Sequence, residues 1–252
     1  MTLPSLHLLV AAAQILTAAV IAVVLVFISA PYGRHQRAGW GPVLPARLGW
    51  VLMESPTVLL FGWWYLRGPH AYDAVPSYFL AMWMLHYVHR TFVFPFRTQA
   101  PGRTMPVLVA VLGIAFNTVN AWLNATWIST LGSYDTSWFA DARCWLGTSL
   151  FFLGLFTNVW ADNRLLQLRR ESHGRYQVPR GGLYELVSCP NYLGEILEWT
   201  GWAIATWSYA GAAFAIYAAA NLVPRAVSNH AWYRETFPDY PPRRKAVLPF
   251  VM

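Results

Sequence analysis

The chain alternates between long apolar runs and short loops that carry most of its charge. Seven runs are long enough to read as helices that cross a bilayer, a task that takes about 20 mostly apolar residues. They lie at about 6–29, 48–66, 75–95, 106–130, 139–168, 189–207 and 209–236. Several are not purely apolar. The fifth carries Asn158, Asp162 and Arg169, and the sixth Asn191, Glu195 and Glu198. The spacings i, i+4, i+11 and i, i+4, i+7 put each set on one helix face. Ionisable groups at membrane depth are costly, so such faces meet partners, a wet cavity or a ligand.

Loop charge gives the expected orientation. Arg34, Arg37 and Arg47 follow the first run and Arg97 and Arg103 the third. Arg169, Arg170, Arg175 and Arg180 follow the fifth, and Arg243, Arg244 and Lys245 lie in the tail. The other side has Arg67 and Arg143. Under the positive-inside rule this places the N-terminus outside and the C-terminus in the cytosol. The expectation is an all-α polytopic membrane protein of seven transmembrane helices, residues 1–252 forming a single integral-membrane domain.

Composition agrees. Of 252 residues, 56% are hydrophobic and 12% charged, against about 25% charged in soluble proteins. Aromatic residues make up 16%, which suits belts at both bilayer surfaces. The net charge of +7 belongs to dispersed loops, so no nucleic-acid partner is expected. The first basic residue is Arg34, so the first run does not read as a secretory signal. Two cysteines, Cys144 and Cys189, make no disulfide framework or metal motif. One lysine against 17 arginines fits a GC-rich bacterial source.

The polar residues suit a phosphorylated, polyhydroxylated ligand. Carboxylates and amides bind ribose hydroxyls, and arginines bind phosphate oxygens through paired donors. Taken singly, Asp162 also reads as an ion-pair partner of Arg164 or Arg90, and Asn124 as interhelical glue. Ser188 reads as the N-cap of the sixth helix, with Pro190 in its first turn and backbone N–H groups open to an anion. Arg225, Asn229 and Tyr233 share a face of the last helix. Neither GxGxxG nor GxxxxGK[ST] is present, so any nucleotide is held by membrane helices and their loops. In the second and third helices, Glu54 and the run His86, Tyr87, His89, Arg90 put further polar groups at membrane depth.

Several strings resemble the steroid 5α-reductases: LHYVHRTFVFPF (85–96), NVWADNRLLQLRR (158–170), RYQVPRGGLYELVSCPNYLGEILEW (175–199) and FPDYPPRRKAVLPF (237–250). The likeness covers nearly the whole chain and is nearest to the type 2 members. It implies a seven-span, NADPH-dependent oxidoreductase that reduces the 4,5-double bond of 3-oxo-Δ4-steroids. By the same resemblance, Glu54 and Tyr87 are the catalytic pair at the steroid 3-oxo group. Arg90, Arg103, Asn158, Asp162, Arg169, Tyr176, Asn191, Glu195 and Tyr233 match cofactor-contacting positions. Gln177 stands where the family carries an arginine, and Asn229 stands in what is otherwise a His-rich run. Trp50, Met53, Phe116, Phe214 and Tyr217 are expected to line the steroid pocket, by their depth in the helices.

Hydride addition to an enone's β-carbon puts negative charge on the carbonyl oxygen, so a donor must be aimed there. Tyr87 is such a donor at neutral pH. A protonated Glu54 donates directly or holds the Tyr87 hydroxyl in place. The expected partners are a steroid entering from the membrane and the lipid bilayer, with the protein a monomer. The expected location is a bacterial inner membrane or, in a eukaryote, the endoplasmic reticulum. Other readings are a sterol C14-reductase, an enoyl-thioester reductase, a membrane methyltransferase of the isoprenylcysteine type, or a seven-span receptor or transporter.

Overall fold

The computed structural model describes residues 1–98 and 102–252. The protein is all-helical. Its principal helices are α1 (Leu3–Phe27), α2 (Ala46–Tyr65), α3 (Ala74–Val88), α4 (Phe94–Thr98), α5 (Val107–Thr126), α6 (Ala142–Glu171), α7 (Pro190–Thr206) and α8 (Tyr209–Thr236). Each apolar run of the sequence becomes a helix. The third is interrupted: a π-helical turn, His89–Val93, separates α3 from α4. Pro95 lacks the N–H that would bond the Thr91 carbonyl, and one extra residue in the turn absorbs the mismatch.

Among the described residues, four helices are long and apolar enough to cross a membrane: Leu3–Phe27, Val107–Leu131, Ala142–Glu171 and Tyr209–Thr236. On α1, Leu8, Leu16 and Val20 are more than half exposed. An apolar surface of that kind is stable against hydrocarbon rather than water.

The chain forms two compact units. The first comprises Met1–Ala13, Ala30–Trp145 and Thr206–Gly211; the second comprises Gln14–Ser29, Leu146–Ala205 and Ala212–Met252.

In the first unit a short antiparallel ribbon sets the register of two helices. Strand β1 (Val43–Pro45) pairs with β2 (Thr104–Pro106), matching Leu44 with Met105. Each strand ends in a proline that opens a helix, α2 after Pro45 and α5 after Pro106. Ala46 N–H donates to the Arg103 carbonyl and Val107 N–H to that of Pro42, both at 2.9 Å. The two helices therefore start side by side. At 1.5 Å per residue, Glu54 and Asn117 lie roughly 12 and 15 Å along them, at matching depth. Gly113 of α5 lets Met53 approach: a Cβ there would stand 2.9 Å from the Met53 Cβ.

The loop end of this unit is an aromatic cluster. Trp127 Nε1 donates to the Tyr134 hydroxyl (2.7 Å), which donates to the Thr206 carbonyl (2.6 Å). Burial drives the Tyr134 phenol well above its usual range. Nearby, two hydrogen bonds from Arg143 hold the Asp141 carboxyl down at about 2, so it stays ionised.

In the second unit α6 and α7 run antiparallel along a seam of glycines. Gly147 and Gly154 lie seven residues apart on α6, and Gly194 and Gly201 seven apart on α7. A Cβ on Gly154 would stand 2.3 Å from Glu198 N, and one on Gly194 would stand 2.5 Å from Asn158 N. On Gly147 it would meet Ala205 N at 2.2 Å, and on Gly201 it would meet Phe151 N at 2.3 Å. These contacts are backbone to backbone, the close approach that small residues allow between membrane helices.

Candidate active site

The glycine seam decides what the two polar stripes become. With Gly194 against Asn158, the antiparallel register brings Asn191 to Asp162 one turn further on. Asn158 Nδ2 donates to the Asn191 carbonyl (2.9 Å), and Asn191 Nδ2 donates to Asp162 Oδ1 (3.0 Å). Asp162 thus receives an amide. Arg164 turns to the Arg180 carbonyl and Gln167, and Arg90 lies over the rings of Trp50 and Phe94. Glu195, half-buried, follows Asn191 by one turn on the same face of α7, and Glu198 is fully buried at the seam.

The basic end of α6 adds Arg169, whose guanidinium lies 4.8 Å from the Tyr176 ring. Tyr176 packs edge-on against Trp232, and Trp232 against Tyr233. Tyr233 is 2% exposed and stacks on Tyr240. The Arg225 and Asn229 face of α8 converges on a residue the sequence reading passed over. Arg225 Nη2 and Asn229 Nδ2 both donate to the Tyr192 hydroxyl, at 3.2 and 3.4 Å. In the sequence Tyr192 adjoins Asn191 but belongs to no polar stripe of its own.

One sequence expectation is corrected. Ser188 does not cap α7. Its hydroxyl bonds His230 Nδ1 and the Tyr240 hydroxyl, each at 2.6 Å, and donates to the Lys245 carbonyl at 3.1 Å. Pro190 does open the helix, but Cys189 holds the preceding position. Two donors just ahead of the helix are taken by the tail. Ser188 N–H donates to the Lys245 carbonyl and Cys189 N–H to the Ala246 carbonyl. The tail, distant in sequence, uses the donors that the local pattern left open.

In the first unit Glu54 is 9% exposed on α2. Asn117 Nδ2, from α5, donates to the Met53 carbonyl (2.6 Å) and to Glu54 Oε2 (3.3 Å). The Glu54 carbonyl accepts from the Thr57 hydroxyl at 2.6 Å. This fixes both the backbone and the carboxyl of Glu54. Asn120 and Asn124 are also buried, and the Asn124 amide donates to the Asn120 carbonyl and side-chain oxygen one turn back on α5. Tyr87, 4% exposed on α3, is wedged between the rings of Trp83 and His86 at 4.7 and 4.8 Å. Trp83 Nε1 ties that stack to the Thr57 carbonyl of α2.

Trp50 and Met53 precede Glu54 by about one turn of α2 and are buried with Met105 and Ala110. Trp50 Nε1 is buried with no hydrogen-bond partner among the described residues, a donor suited to a ligand's polar edge. Phe116 is half-buried on α5, and Arg103 is half-buried at the ribbon. The other two expected lining residues, Phe214 and Tyr217, belong to the second unit. Both are buried there, Phe214 against Trp199 at 4.3 Å.

Residues 103–252 match the family described as 3-oxo-5-alpha-steroid 4-dehydrogenase. The chain is 44% identical over 234 residues to the steroid 5-alpha-reductase DET2 of Gossypium hirsutum, covering 90% of each chain. It is 38% identical to the 3-oxo-5-alpha-steroid 4-dehydrogenase 1 of Homo sapiens, over 87% of this chain and 85% of that one. It is 37% identical to the type 2 enzyme of Rattus norvegicus, over 88% of each. All three names describe oxidoreductases acting on CH–CH bonds.

Proposed function

Because this chain belongs to the 3-oxo-5-alpha-steroid 4-dehydrogenase family of membrane oxidoreductases, we propose that it reduces the 4,5-double bond of 3-oxo-Δ4-steroids to 5α-3-oxosteroids with NADPH. The observation that carries the reading is the fixed Glu54–Asn117 pair at membrane depth. The proposed topology is seven spans in one integral-membrane domain, with the N-terminus outside and the C-terminus cytosolic, as loop charge demands.

Glu54 and Tyr87 act on the acceptor. Asn117 holds the Glu54 carboxyl, and the Trp83–Tyr87–His86 stack holds the phenol. Both groups are thus oriented before substrate arrives, which is what stabilising a developing oxyanion requires. Protonated, the pair donates to the steroid C3 oxygen as charge moves onto it. Trp50, Met53 and Phe116 of the first unit supply an apolar, aromatic lining for a flat hydrophobic substrate that arrives from the lipid.

The second unit's donor set fits a dinucleotide. Asp162, oriented by Asn191, and Glu195 suit ribose hydroxyls, and Asn158 suits the carboxamide end. Arg169, stacked on Tyr176, suits a phosphate. Tyr233 supports this wall through Trp232. When bound, NADPH supplies the hydride to C5. Gln177 removes one arginine from the phosphate end, and Arg169 carries correspondingly more of the discrimination between NADPH and NADH.

The test is cofactor binding. Asp162→Ala breaks the link to Asn191 and is expected to raise the NADPH Kd roughly 10–100-fold, the size of losing a charge-assisted hydrogen bond of about 1.5–3 kcal/mol. Titration of tryptophan fluorescence with NADPH measures it. Unchanged affinity in both Asp162→Ala and Arg169→Ala removes this cofactor wall.

A further inference from the structure

Arg244 is an arginine of the tail that is only 2% exposed. Nη1 donates to the Pro179 carbonyl at 3.1 Å, and the guanidinium lies 5.1 Å from the Tyr240 ring. Nε and Nη2, which form the side edge of the guanidinium, are buried and make no hydrogen bond to any described residue. That edge is the one that grips a carboxylate with two parallel bonds. Glu185 Oε2 stands 3.6 Å from Nη2, within ion-pair reach but outside a hydrogen bond.

The other oxygen of Glu185 is already engaged. Oε1 accepts from Gly181 N–H at 2.6 Å. Gly181 and Gly182 have φ of +89° and +56°, backbone that favours glycine, so the turn has little local preference of its own. Its far side is seated on α6. The Tyr184 hydroxyl donates to the Ala161 carbonyl at 3.0 Å, and Gly182 lies so close to Trp160 that a Cβ would be 2.7 Å from the ring. Ala161 adjoins Asp162. The tail itself is fixed beside this loop, with Lys245 N–H donating to the Leu186 carbonyl at 2.9 Å and Ser188 N–H returning to the Lys245 carbonyl at 2.8 Å.

We propose that Glu185 and Arg244 form a latch that sets cofactor affinity, with one carboxylate oxygen on Gly181 N–H and the other on the Nε–Nη2 edge of Arg244. The latch holds the Gly181–Gly182 turn against α6 beside Asp162, and it rests on the assignment of Asp162 and Asn191 to the cofactor. Both are positioning residues. Two unspent donors on a buried guanidinium favour closing of the pair, because an unsatisfied buried charge is far costlier than a satisfied one. A bound cofactor that orders α6 and the loop draws the same pair together, so closing and binding reinforce each other.

The experiment uses the purified full chain in lipid nanodiscs and three variants. Glu185→Gln keeps the acceptor for Gly181 and loses the charge. Glu185→Ala loses both, and Arg244→Lys keeps the charge and loses the fork. Glu185 is exposed, so its variants fold even if Arg244→Lys does not. Glu185→Ala is expected to raise the NADPH Kd about tenfold and Glu185→Gln about threefold, with kcat at saturating NADPH and the steroid KM within about twofold of wild type. A latch that merely supports the fold would instead lower the melting temperature and leave the Kd alone. Wild-type binding of NADPH with an unchanged Kd in both Glu185 variants overturns the latch alone. A wild-type protein that binds no NADPH overturns the cofactor assignment and the latch with it.

Discussion

Replacing Glu54 by Gln is expected to lower kcat for steroid reduction by roughly 10²–10⁴, because the amide still offers an N–H but cannot pass a proton to the enolate oxygen as a carboxylic acid does. The substitution is nearly isosteric. A Gln carbonyl still accepts from Asn117 Nδ2, and the Thr57–Glu54 backbone bond is untouched. Cofactor affinity and melting temperature should therefore stay near wild type, and the loss should fall on kcat at saturating NADPH rather than on binding. Asn117→Ala is expected to show a weaker form of the same defect, because it frees the Glu54 carboxyl to rotate. Full activity in Glu54→Gln would remove Glu54 from the chemistry.

Gly154→Val is expected to prevent α6 and α7 from docking. The added Cβ would stand 2.3 Å from Glu198 N and 2.5 Å from the Gly194 carbonyl. Ordinary overpacking costs about 1–3 kcal/mol because side chains give way. Here the obstacles are backbone atoms of the facing helix, which cannot give way, so the cost exceeds that range and the helices must separate. Separation also breaks the Asn158–Asn191–Asp162 network, so NADPH binding should vanish with the fold. Gly62→Ala is the control. Its Cβ would meet only the Met84 Cε at 3.7 Å, and replacing a helical glycine by alanine is worth up to about 1 kcal/mol of stabilisation. A Gly154→Val protein that melts like wild type would contradict the seam.

The helices were legible because the signal that reveals them, a long apolar run, is local. So were the two stripes, since side chains three, four and seven residues apart must share a face. What joins the stripes was not legible. The seven-residue spacing of Gly147 with Gly154, and of Gly194 with Gly201, means nothing until the two helices are known to be antiparallel partners. The same holds for Asn117, whose value depends on the ribbon that starts α2 and α5 together. That ribbon is three residues per strand and is set by Pro45 and Pro106, too short for any periodicity to show.

The errors have the same origin. Ser188 fits a local capping pattern, but the tail at Lys245–Ala246 competes for it from more than fifty residues away and wins. Tyr192 had no pattern of its own, and its importance comes from Arg225 and Asn229 on another helix. The functional reading came from the length and specificity of the 175–199 string more than from any single residue.

The most direct test of the account is NADPH oxidation by the purified protein in lipid nanodiscs with testosterone or progesterone, with the C5 stereochemistry of the product assigned. The account predicts stoichiometric NADPH consumption and a 5α-reduced 3-oxosteroid, both abolished by Glu54→Gln. A wild-type protein that binds NADPH but leaves both enones unreduced, or that yields a 5β product, would contradict it.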